Sequence, residues 1–161
     1  MKTFNTLLAG TVACLALSTS LAHAERGADG ELKILFWQAV STMNPFLSAG
    51  TKEVYASSMV IEPLARYDEK GELVPWLVTE IPTLENGGIS EDLLSMTWKL
   101  MPDLKWSDGS AFTADDVVFT WKYCTAPDGG CAQRAQYEGV KNVEAVDPQT
   151  VKVTFEEPKP Y

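Results

Sequence analysis

Alternation opens the most informative stretch of the chain: Met96, Trp98 and Leu100 interleave with Thr97, Lys99 and Met101, a period of two that predicts a half-buried strand. Ser107-Asp108-Gly109-Ser110 follows as turn chemistry, with Gly109 free to take positive φ. Thr113 is then placed to cap a helix. Asp116, three residues on, supplies the other half of a capping box, and with Asp115 puts negative charge at the positive end of the helix dipole. In that helix Val117, Trp121 and Cys124 share a face, while Phe119 and Tyr123 fall elsewhere on the circle, which predicts coverage on two sides.

The same patterning places the other elements. Residues 31–40, with the apolar run Ile34-Leu35-Phe36-Trp37, read as a strand buried on both faces. Ser41-Thr42-Met43-Asn44-Pro45-Phe46 then breaks the strand, since Pro45 pushes Asn44 out of helical geometry. A helix is predicted from Thr51, as capping residue, to about Ile61, with Val54, Ser58 and Ile61 on one face, Tyr55 and Met59 beside them in the core, and Pro63 beyond its end. Residues 64–67 and 72–74 flank Asp68-Glu69-Lys70-Gly71 as a hairpin. Residues 82–91 form a loop. Residues 140–146 and 150–155 alternate on either side of Asp147-Pro148-Gln149 and make a second hairpin. Together these predict a mixed α/β (α+β) fold.

The first 24 residues read differently. Lys2 gives a positive start, residues 7–21 an apolar run, and Ala22-His23-Ala24 a small-residue cleavage site, so a signal peptide cut after Ala24 is predicted, with export to the periplasm. Cys14 lacks the preceding pattern of a lipoprotein cysteine. Cleavage removes Lys2 and no acid, taking the formal charge of the chain from −9 to −10. Such an acidic surface makes nucleic acid and anionic lipid poor partners.

Cleavage also removes His23, the single histidine. No imidazole is then left for a general base, a Ser-His-Asp triad or a typical zinc site, and no catalytic residues, metal site or cofactor are expected. Asp115-Asp116 and Glu156-Glu157 are neighbours in sequence and do not converge on one substrate. Cys124 and Cys131 bracket Thr-Ala-Pro-Asp-Gly-Gly; in an oxidising compartment they are expected to pair, with free or metal-bound thiols as the alternative.

Three separate motifs carry a family resemblance: Lys105-Trp106-Ser107-Asp108-Gly109 with Phe112-Thr113-Ala114-Asp115-Asp116-Val117-Val118-Phe119; Leu64-x-Arg66-Tyr67-Asp68 with Gly71-Glu72-Leu73-Val74-Pro75-Trp76-Leu77; and Val143-Glu144-Ala145-Val146-Asp147-Pro148 with Thr150-Val151. The chain resembles the family 5 extracellular solute-binding proteins, the receptors of bacterial ABC importers. The resemblance implies a periplasmic-binding-protein-like fold of two lobes with an extra small domain. It divides this sequence into signal peptide 1–24, first strand and cleft loop of the main lobe 25–50, extra domain 51–157, and the start of a return to the main lobe 158–161. It implies an N-terminal fragment that does not bind ligand tightly by itself. It also implies a monomeric receptor that captures peptides and delivers them to an inner-membrane ABC permease, or carries a nickel chelate, opine or sugar instead. A loop bearing Asn-Pro runs beside the cleft in that family, which marks Thr42, Met43 and Asn44 as candidate ligand contacts. An exported peptidase and a partner-binding module are the readings from other classes.

Overall fold

The structure is a computed structural model that describes Gly30 and residues 33–159. The signal segment 1–24 with its cleavage point at Ala24, Cys14, and the terminal Pro160-Tyr161 lie outside the described residues. The chain divides into units 1–35 and 36–161, and every described helix and strand belongs to the second.

That unit holds two helices, five strands and one turn of 3-10 helix among the described residues: α1 (Thr51–Ser57), β1 (Ala65–Tyr67), β2 (Leu73–Pro75), β3 (Ser95–Lys99), α2 (Ala114–Thr125), the 3-10 turn (Arg134–Tyr137), β4 (Val140–Asp147) and β5 (Thr150–Phe155). The three longer strands form an antiparallel sheet in the order β3-β5-β4, so the last strand in sequence is the central one. Its register sets Trp98 against Val151 and Val143 against Val153, which puts the apolar positions of all three strands on one face. α2 packs across that face. Val78, Leu100, Ala114, Val118, Val143 and Val151 are buried there, with Trp98 and Trp121 packed against them.

Both hairpins form as the patterning predicts. β1 pairs with β2 through a turn in which Asp68 Oδ1 accepts the N–H groups of Lys70 and Glu72 at 2.8 and 2.9 Å, and Gly71 has φ +80°. β4 pairs with β5 across Pro148-Gln149. The central motif is held by side chains too. Asp108 Oδ1 accepts the Ser110 N–H at 2.8 Å while Gly109 sits at φ +89°, and Trp106 packs edge-on against Phe112 with ring centroids 5.2 Å apart. Asp116 Oδ2 accepts the Thr113 N–H at 2.7 Å, the carboxylate arm of the capping box. The turn between β4 and β5 meets the start of α2 directly, since Ala114 N–H donates to Pro148 O at 2.9 Å.

Three expectations are corrected. Of residues 31–40, Glu31 and Leu32 lie outside the described residues, and 33–40 carry no strand. A strand exists only through its partner, and none lies beside this run among the described residues; Leu35 is 99% exposed. α1 is shorter than predicted and begins one residue earlier, on Gly50, where a Cβ would run into the Glu53 carboxylate. It stops at Ser57 because Ser57 and Ser58 turn their hydroxyls back onto the carbonyls of Val54 and Tyr55, at 3.0 and 2.7 Å. Its inward face is Glu53, Ala56 and Ser57; Val54, Tyr55 and Met59 are exposed. Finally, α2 is covered on one side only. Phe119 is 69% exposed and stacks on Tyr123, centroids 6.4 Å apart.

Candidate functional site: a loop over an apolar concavity

Two features converge near α2. The first is a half-open concavity of about 850 Å³ between α2 and the sheet. Aromatic rings line much of it: Phe46, Trp98, Trp106, Phe112, Trp121 and Tyr137. Its polar lining is Asn44, Glu62, Asp116, Thr120 and Gln136. Burial alone pushes the Tyr137 phenol above its ordinary range. The indole N–H of Trp121 is shielded from solvent and meets no acceptor among the described residues.

The second feature is the loop 38–50. Thr42 Oγ1 accepts the Asn44 N–H at 3.1 Å, and Asn44 Oδ1 accepts the Phe46 N–H at 2.9 Å. Leu47 N–H then donates to Asn44 O at 3.2 Å and closes a turn around Pro45. Thr42 and Asn44 thus spend polar atoms on shaping their own loop. Of the three sequence candidates, Asn44 reaches the concavity, beside Phe46; Thr42 and Met43 are not part of its wall, and Met43 is exposed.

Two anchors of this loop escaped the sequence reading. Glu53 is 1% exposed; its Oε1 lies 2.7 Å from Lys52 Nζ and accepts the hydroxyl and N–H of Ser41 at 2.6 and 3.2 Å. Lys52, then Ser41, hold its carboxyl well down, at about 2. Lys52 Nζ also donates to Ala39 O at 2.7 Å. The second anchor is Gln133, whose Nε2 donates to Pro45 O at 3.2 Å, with Ser48 O at 3.5 Å. An acid in a first helical turn was the only visible sign of the first anchor; nothing in the pattern marked the second. Cys124 and Cys131 are joined in a disulfide, which ties the end of α2 to the segment carrying Gln133.

What the arrangement can do chemically is enclose and orient. Asp92 and Asp108 are held below the usual carboxylate range chiefly by the hydroxyls of Ser90 and Ser110, and Asp147 by the Gln149 N–H, so these acids are fixed turn formers. Among the described residues no three His, Cys, Asp or Glu side chains gather as a metal ion would need.

The fold is mixed α/β and of the periplasmic-binding-protein type. The chain belongs to the bacterial extracellular solute-binding proteins, family 5, matching that family's middle region over residues 72–161. It is 28% identical to the periplasmic murein peptide-binding protein MppA of Escherichia coli, over 94% of this chain and 32% of that protein. It is 30% identical to the periplasmic oligopeptide-binding protein OppA of the same organism, over 76% of this chain and 24% of that protein. Among solved structures, NikZ from Campylobacter jejuni in complex with Ni(L-His) superposes with a TM-score of 0.66 at 30% identity, covering 76% of this chain and 23% of that one. The chain thus spans between about a fifth and a third of the length of the curated relatives it matches.

Proposed function

We propose that this chain is part of a periplasmic receptor that captures peptides and presents them to an ABC permease. The observation that carries the reading is the likeness to a murein peptide-binding protein over 94% of the chain. An aromatic concavity with a few polar side chains in its lining, Asn44 of the loop among them, is consistent with it, because such surfaces accept varied side chains while polar groups fix orientation. In this reading residues 25–50 belong to a main lobe and supply the cleft loop with Thr42, Met43 and Asn44, and residues 51–157 form the extra domain. A nickel chelate is the second reading, favoured by the likeness to NikZ. A thermal-shift screen of the intact receptor separates them, with peptides of two to six residues set against nickel–histidine, opines and sugars. A ligand at a hundred times its Kd adds about 2.7 kcal/mol of stability, a shift easily read. Stabilisation by peptides is the expected outcome, and no response to any peptide would sink the proposal. Sustained cleavage of the added peptides would replace it with a peptidase.

A further inference from the structure

We propose that the segment Cys131-Ala132-Gln133 is a strap that positions the loop 44–48, and that the Cys124–Cys131 disulfide clamps it. Cys124 lies on the buried face of α2, so the disulfide fixes one end of the strap to the packed core. One residue on, Ala132 N–H donates to Phe46 O at 2.7 Å. The next side chain, Gln133, gives its amide to Pro45 O and faces Ser48 O. Three successive residues therefore tie a loop more than 80 positions away in sequence to the end of one helix. The bonds within 44–48 are local turns, which fix its shape; Glu53 and Lys52 hold the loop's start at Ser41 and Ala39, and the strap holds the 44–48 end.

The choice of glutamine is chemically specific. Two carbonyl oxygens converge on Nε2, and only a neutral amide or a cation can donate to both. A glutamate of equal size would set a carboxylate against them. Gln133 is thus a positioning residue for Asn44 and Phe46 at the edge of the concavity; any effect on ligand rests on the loop's place in the proposed cleft.

Hydrogen exchange on the full chain tests the strap without a ligand. In Cys124→Ala/Cys131→Ala, the amides of Ala132, Phe46 and Leu47 should exchange together, roughly two- to tenfold faster, the loss of about one hydrogen bond's net contribution. Val151 and Val153 of β5 should keep their rates. Should the double variant not fold, Gln133→Glu reports on the same loop amides with the disulfide intact. Unchanged exchange at 46 and 47 in either variant, or equal acceleration in β5, would overturn the strap. In the intact receptor, with trialanine as probe, Gln133→Glu should weaken binding by a similar factor. A loosened loop with trialanine affinity unchanged would uphold the strap and remove the loop from the ligand site.

Discussion

Glu53 shows how one side chain can set the face of a helix. Sequence patterning turned Val54 inward, yet the carboxylate, with Ser41 twelve positions back as its partner, takes the buried side. A buried charge is tolerated only with its hydrogen bonds made, so the residue brings its partners inward with it. The partnership spans loop and helix, which no periodicity reports. Its folded carboxyl stays ionised down to about 2, below an ordinary value of 4.5. The contribution to stability is therefore complete above about pH 4.5, falls as pH drops through that window, and is gone below about 2. Denaturant titrations of the wild type and Glu53→Gln at several pH values should show the largest gap near pH 7. The gap should close between pH 4.5 and 2. A gap independent of pH would mean the carboxylate's charge is irrelevant.

At the scale of elements, what was legible was what is encoded locally. Turns at Asp68–Gly71 and Ser107–Ser110, the Thr113–Asp116 cap and both hairpins involve partners within a few residues, and each formed where its residues predicted. Residues 33–37 have strand composition and no strand, because pairing is supplied from elsewhere or not at all. The exposed stack of Phe119 on Tyr123 has the same origin: the amphipathic count says a side is apolar, not that something covers it. The capping box offers a direct measurement. Asp116→Ala leaves the Thr113 N–H without its acceptor and should cost about 1 kcal/mol. For a chain of this size that lowers the melting temperature by roughly 2–4 °C. Asp116→Asn, which keeps an acceptor oxygen, should recover much of it; equal losses in both would point to charge at the helix start instead.

For the whole molecule, the central place of β5 has a kinetic consequence. β4 and β5 meet across two residues, while β3 must find β5 across the 50 residues between Lys99 and Thr150. The hairpin closes cheaply and early; docking of β3 is the slow, entropically costly search. The disulfide lies inside that long excursion but shortens it by only about six residues, worth about 0.1 kcal/mol of closure entropy. Its own small ring is worth about 2–3 kcal/mol against the fully unfolded chain. Stopped-flow chevrons of the oxidised and reduced protein should therefore share a refolding limb and differ in the unfolding limb, the reduced form opening faster. A slowed refolding limb would instead place the end of α2 within the folding nucleus. A central strand made after both its neighbours also bars stepwise assembly of this sheet during synthesis: β3 emerges some fifty residues before β5, and until then the edge it will offer to β5 stays unpaired.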